Sequence, residues 1–261
     1  MDVAVLTIFP EMFDRFWTHG IVRRAIEQGH LNGSAVDIRS FAEDRHKVTD
    51  DRPYGGGCGM VMKPEPLAKA LRALRERMPE AVTLLMSPQG RPFNQQTAAE
   101  LARRRGVIFI CGRYEGVDER IVQQFVDAEI SIGDYVLTGG ELPAMVVVDA
   151  VVRLIPGVLG GLDSAANDSF ADGLLEHAHY TRPRDFEGRE VPDVLLSGNH
   201  AAIAQWRLEA ALVRTFLKRP DLLEKRDFTA QEIAILKKWS QELENLIQVQ
   251  SACRPDSLSG H

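Results

Sequence analysis

Cysteine is scarce in this chain, and none of it is spaced for chemistry. Cys58, Cys111 and Cys253 are the whole complement of 261 residues. No CxxC occurs and any disulfide scheme leaves one thiol over, which excludes a disulfide scaffold and fits a reducing, cytoplasmic setting. Long hydrophobic runs are missing too. Asp149 and Arg153 interrupt the longest candidate, so nothing approaches the ~20 apolar residues of a membrane span. The N-terminus, MDVAVLTIFPEMFDRF, has neither a basic region nor a small-residue cleavage site, and no secretory signal is expected. There is no excess of positive charge. The net charge of −6 argues against a chain that coats nucleic acid non-specifically, although it leaves room for a local basic site. Neither GxxxxGK[ST] nor GxGxxG is present, which counts against a P-loop and against a Rossmann dinucleotide site.

What is there reads as a soluble globular protein, 44% hydrophobic and 26% charged. Strand-like and helix-like segments alternate through the first two-thirds. Val3–Phe9 predicts a strand, and Pro10 opens a helix to about Gln28, closed by Gly29. Ala35–Phe41 alternates as a half-exposed strand does. Pro64–Arg77 predicts an amphipathic helix with Leu67, Ala70, Leu71 and Leu74 on one face. Val82–Met86 and Val107–Cys111 are expected as buried strands, Gln95–Arg105 and Val117–Val126 as helices, and a further strand reaches Leu137. This rhythm implies an α/β fold with a mostly parallel sheet covered by helices.

Composition shifts at Gly157. GVLGGLDSAANDSFADG offers little apolar surface and reads as a linker. Two helices are then expected near His200–Lys218 and Thr229–Ile247. The expected division is an α/β domain over 1–160, a flexible linker over 161–175, a smaller, mainly helical domain over 176–248, and a disordered tail over 249–261.

Three strand ends carry turn-forming residues: LLMSPQG (Leu84–Gly90), FICGRYEG (Phe109–Gly116) and SIGDYVLTGGELP (Ser131–Pro143). Ligands of open parallel sheets bind at the carboxyl ends of the strands. Three glycine-rich loops there expose backbone groups that suit a heterocycle edge and a ribose. Tight turns with no ligand are the plainer reading of any one of them.

Those loops, together with DDRPYGGGCGMVMKPEP, NDSF, YTRP and VPDVLLSGNH, resemble the bacterial tRNA (guanine-N1)-methyltransferase family, in order from about Phe9 to Arg219. The chain departs from the pattern at Cys58, where Pro or Ala is commoner, and in the tail after Gln248. The resemblance implies a SPOUT-type α/β domain with a deep trefoil knot, and a homodimer whose active sites lie at the interface. It implies methyl transfer from S-adenosyl-L-methionine to N1 of the guanine 3′ of the anticodon. The cofactor loops would be Leu85, Met86, Ser87 and Pro88; Gly112, Tyr114, Glu115 and Gly116; and Ser131, Ile132, Gly133, Asp134, Tyr135, Val136, Leu137, Gly139, Gly140 and Pro143. Domain 1–160 would then bind the cofactor and 176–248 the tRNA.

The chemistry asks for a base to take the N1 proton and a donor to meet charge on O6. Asp168, in NDSF, is the candidate base, against the plainer reading of a solvated linker acid. Arg153 is the candidate for O6. It is the only cation in AMVVVDAVVRLIPG, a helix apolar nearly all round and expected to be buried, and Asp149 at i−4 offers a simple ion pair instead. His46, Asp50, Arg52, Gly59, Arg182 and Ser197 are the candidate substrate contacts, with Asp50 suited to read a second guanine edge. EHAHY places His177 and His179 at strand spacing, but no further His or Cys completes a set, so no metal ligands are assigned. The sequence leaves a Mg2+ requirement undecided. Two rivals are a dinucleotide oxidoreductase, disfavoured by the missing GxGxxG, and a non-catalytic RNA-binding module with a degenerate pocket.

Overall fold

The computed structural model describes residues 1–160 and 168–252, the last four by their backbone alone, in two compact units, Met1–Ala165 and Ala166–His261. The first unit is built on a five-stranded, wholly parallel sheet in the order β2-β1-β6-β5-β7. Its strands are β1 (Asp2–Thr7), β2 (Asn32–Asp37), β5 (Ala81–Pro92), β6 (Gly106–Cys111) and β7 (Ala128–Ser131). β3 (Asp50–Asp51) and β4 (Val61–Met62) form a separate small hairpin. The helices are α1 (Asp14–Trp17), α2 (Gly20–Glu27), α3 (Pro64–Arg77), α4 (Gln95–Ala102), α5 (Glu119–Phe125) and α6 (Glu141–Val152).

β6 explains the layering. Every residue of GVIFIC is buried, because the strand is central and both faces are covered. Val107, Phe109 and Cys111 join one core with α2, α4 and α6, and Ile108 and Ile110 join another with α3 and α5. α3 has the expected bounds: Pro64 sits where a missing N–H costs nothing, and Leu67, Leu71 and Leu74 fall on one buried stripe. Each fully buried leucine contributes roughly 1.5–3 kcal/mol.

Four expectations are corrected. The single helix from Pro10 is a 3-10 turn (Pro10–Phe13) and two α-helices, parted where His19 is extended and Gly20 takes φ +61°. The strand expected over Ala35–Phe41 begins at Asn32 and stops at Asp37, whose carboxylate accepts the Arg39 N–H and turns the chain into a 3-10 helix. Tyr135-Val136-Leu137 is not a strand. β7 ends at Ser131, Gly133 follows at φ +148°, and the three residues are exposed. α6 is not buried all round, since Leu142, Val146, Asp149 and Arg153 form one exposed stripe at i, i+4, i+7 and i+11.

The second unit holds β8 (Asp185–Phe186), β9 (Arg189–Glu190), α7 (His200–Lys218), α8 (Pro220–Leu223) and α9 (Ala230–Ala252). Of the segment expected as a linker, 161–167 lies outside the described residues. The rest packs within this unit: Leu174 shares its small core with Ala211, Leu212 and Ile235. α9 carries the chain to Ala252, past the expected fraying point at Gln248, and the tail from Cys253 lies outside the described residues.

That core is small, so a buried polar node matters to it. Thr229 and Glu232 form a reciprocal cap, Thr229 N–H to Glu232 Oε2 at 2.7 Å and Glu232 N–H to Thr229 Oγ1 at 3.3 Å. Arg226 Nη1 lies 3.0 Å from the Glu232 carboxylate, which is almost fully buried. Burial raises the Glu232 pKa, but the Thr229 hydrogen bonds and Arg226 outweigh it and hold it below its ordinary 4.5. A depressed carboxylate contributes stability above its unfolded pKa and loses it as pH falls through the folded one. The second unit is therefore expected to weaken below about pH 4.5, whereas Glu232→Gln, at a cost of about 3 kcal/mol at pH 7, removes that pH dependence. Denaturant unfolding followed by tryptophan fluorescence at pH 7 and pH 4 checks both parts.

Candidate active site

Three loops at the carboxyl ends of β5, β6 and β7 enclose a cavity of about 360 Å³. Its lining includes every residue expected in the cofactor loops except Asp134. The loops are tied to one another through backbone. Arg113 and Gly139 form an antiparallel bridge, and Gly140 N–H donates to the Gly112 carbonyl at 2.9 Å. Ser131 Oγ accepts from Gly133 N–H at 3.2 Å and donates to the Gly133 carbonyl at 3.1 Å, closing the turn after β7. Tyr114 adopts a left-handed φ of +58° at the tip of the middle loop, next to Gly116 at +121°.

At Gly140 the chain passes close to itself. A Cβ there would stand 2.7 Å from Cys111 Cα and 3.1 Å from Gly112 N, both backbone atoms that cannot swing aside. At Gly112 the nearest neighbour of an added Cβ is Val117 Cγ2 at 3.5 Å, an ordinary contact. Gly140→Ala is thus expected to cost about 2 kcal/mol, in the range of core overpacking, or roughly 4–8 °C in Tm. Gly112→Ala should leave Tm unchanged. Calorimetry on the pair decides; equal melting temperatures would refute the close crossing.

Behind the loops lies a buried ion pair that the sequence did not point to. Glu141, 1% exposed, receives Arg113 Nε at 3.1 Å and Nη2 at 3.0 Å on one oxygen, and Thr7 Oγ1–H at 2.7 Å on the other. The Arg113 guanidinium also stands 4.5 Å over the Phe9 ring. This node joins the end of β1 to the middle loop and the start of α6. Burial, followed by the Glu141 charge, pushes the Cys111 thiol well above its ordinary range, so Cys111 packs and does not attack.

The electrostatics of the lining are one-sided. Glu115, Glu119 and Glu129 line the cavity, and among the described residues its only lining cation, Arg113, is committed to Glu141. With apolar walls from Leu85, Ile130, Leu137 and Pro143, the cavity suits a heterocycle attached to a cationic group and disfavours a polyphosphate. Glu119 and Glu129 were not anticipated. An acid inside the buried strand AEIS was the available signal for Glu129.

The β3–β4 segment adjoins this site. Glu115 N–H donates to the Met60 carbonyl at 3.0 Å, Met62 N–H to the Gly116 carbonyl at 2.9 Å, and the Glu115 carboxylate packs on Gly59. Gly59 is therefore brought to the cofactor loops. Asp50 is half-buried in β3, while His46 and Arg52 are exposed on the same segment. Arg153 is the exposed C-cap of α6. Asp168, Arg182 and Ser197 belong to the second unit. There the Asp168 carbonyl accepts from Ala171 N–H at 3.1 Å, Arg182 is exposed, and Ser197 Oγ caps the turn before α7.

The sequence profile of the family described as tRNA (Guanine-1)-methyltransferase TrmD matches residues 1–225. A protein of Desulfatibacillum aliphaticivorans named tRNA (guanine-N(1)-)-methyltransferase is 56% identical over 259 residues, 99% of both chains. Proteins of the same name are 58% identical in Geobacter metallireducens (86% of this chain, 92% of that one) and 53% identical in Staphylococcus haemolyticus (94% and 100%). On these matches, and with the loops in place to form its cavity, the chain belongs to the tRNA (guanine-1)-methyltransferase TrmD family.

Proposed function

We propose that this protein is a tRNA methyltransferase that moves a methyl group from S-adenosyl-L-methionine to N1 of the guanine 3′ of the anticodon. The observation that carries the reading is the acidic, cation-poor cavity between the three loops, in a chain of this family. A sulfonium cofactor is cationic, and carboxylates at Glu115, Glu119 and Glu129 favour it where they would repel a dinucleotide's phosphates. The adenine edge and ribose would be met by backbone groups of Ser87–Pro88, Gly112–Gly116 and Ile132–Gly140. Asp168 takes the guanine N1 proton, and Arg153 stabilises the negative charge that builds on O6.

The crossing of Gly140 against Cys111 supports a trefoil-knotted path for the segment after β7. The exposed stripe of α6 supports a homodimer. Leu142 and Val146 are 52% and 48% exposed, and Arg153 stands on the same stripe. An apolar stripe ending in the proposed catalytic arginine suits an interface at which two chains complete each site. The second unit, with Arg182 and Ser197, is the proposed tRNA-binding domain, and the cytoplasm is the proposed setting. No helix among the described residues is long and apolar enough to cross a membrane.

The direct test uses labelled S-adenosyl-L-methionine and paired tRNA transcripts that differ only in guanine or adenine 3′ of the anticodon. Label is expected on the guanine transcript alone. Equal labelling of both, or a melting temperature raised by NAD and not by S-adenosyl-L-methionine, would overturn the reading. The sulfonium donor is already activated, so the transfer step asks for no metal; the same assay with a chelator measures any contribution of Mg2+.

A further inference from the structure

The EHAHY motif has no part in the methyl transfer above, yet the second unit folds it into a cluster. Glu176, His177 and His179 each present one ligand atom, and all three atoms lie within 4.8 Å of one another. We propose that these three side chains bind one divalent transition-metal ion of the zinc class.

Hydrogen bonds hold both imidazoles in place. His177 Nδ1 lies 3.1 Å from the Ala178 carbonyl, which accepts the proton of that nitrogen and leaves Nε2 as the nitrogen able to bind a metal. His179 Nε2 is 2.8 Å from Glu176 Oε1, and the two imidazole rings are 4.6 Å apart between centroids. An imidazole–carboxylate contact alone would explain His179 and Glu176. It would not explain a second imidazole set beside the first, with a ligand atom of its own within 4.8 Å of theirs.

The backbone beneath them is held. Leu174 is buried, Leu175 N–H donates to Thr215 Oγ1 at 2.9 Å, and Glu176 N–H donates to Ser169 Oγ at 3.0 Å. An ion here would draw together ligand atoms that already stand within 4.8 Å of one another and would displace the proton between His179 and Glu176. Two imidazoles and one carboxylate favour Zn(II), Co(II) or Ni(II) over Mg2+, which prefers oxygen donors. Three protein donors leave coordination positions to solvent.

The test is a titration of the full-length, chelator-stripped protein with Co(II) alone. Expected are visible d–d bands saturating at one equivalent, together with quenching of Trp206, whose ring centroid is 6.2 Å from that of His177. The double variant His177→Asn, His179→Asn should lose affinity at least about tenfold. Glu176→Gln serves as the second variant, since it removes a half-buried partner and no core contact. Cys58→Ser should bind as wild type does, which excludes the exposed thiol as the ligand. Absence of saturation at one equivalent, unchanged affinity in both ligand variants, or binding that needs Cys58 overturns the proposal.

Discussion

Asp168→Asn is expected to lower turnover by about 10²–10⁴-fold, the contribution of a well-placed general base, while S-adenosyl-L-methionine binds as before. Asparagine keeps the shape of the side chain but cannot take the guanine N1 proton. The local turn should survive, because it is held by other groups. Phe170 N–H donates to the Leu174 carbonyl at 2.7 Å, and the Arg219 guanidinium lies 5.9 Å over the Phe170 ring. On the proposed reading the cofactor is held by the first unit's loops, so its affinity should not depend on Asp168. Single-turnover kinetics with saturating cofactor separate chemistry from binding. A loss of less than about tenfold, only ~1.4 kcal/mol in barrier, would show that some other group is the base.

The elements that were legible in the sequence are those whose signal is local. α3 shows its start in Pro64 and its buried face in leucines at helical spacing. β6 is a continuous apolar run because both of its faces are covered. The loops that line the cavity were legible because three strand ends carry glycines together and the family strings are long.

What was misread depended on distant partners. Tyr135-Val136-Leu137 has strong strand propensity, but β7 leaves the sheet at Ser131 and, among the described residues, no strand pairs with those three. The break at Gly20 was hidden in a sequence that is otherwise helical. The Thr7–Glu141–Arg113 node joins residues 134 and 28 positions apart, which no periodicity reports. Two of the three acids of the lining were equally hidden: Glu119 and Glu129 reach the cavity from α5 and β7, and the sequence reading gave neither a role. Arg153 was expected inside because its helix is apolar, but it stands on an exposed stripe that begins at Leu142.

That surface sets up the last expectation, a recovery of activity from two inactive proteins. If one chain supplies the cofactor loops and its partner supplies Asp168, lesions in the two elements can be separated onto different sites. One variant is Asp168→Asn. The other is Ile132→Trp, which fills the cavity from a half-buried lining position and is used once calorimetry shows that it folds but no longer binds S-adenosyl-L-methionine. Each alone should be inactive. Mixed and allowed to exchange subunits, they form heterodimers in which one site carries both lesions and the other carries neither. Complete random exchange of a symmetric dimer leaves roughly a quarter of all sites intact, so activity should climb to about that fraction of wild type. Were each site built from a single chain, every site in the mixture would stay defective however long exchange proceeded. Differently tagged subunits co-purified from the mixture establish that exchange has occurred. Activity still at the level of the separate variants at that point rules out the shared site, and with it the role proposed for the α6 stripe in bringing Asp168 of one chain to the cavity of the other.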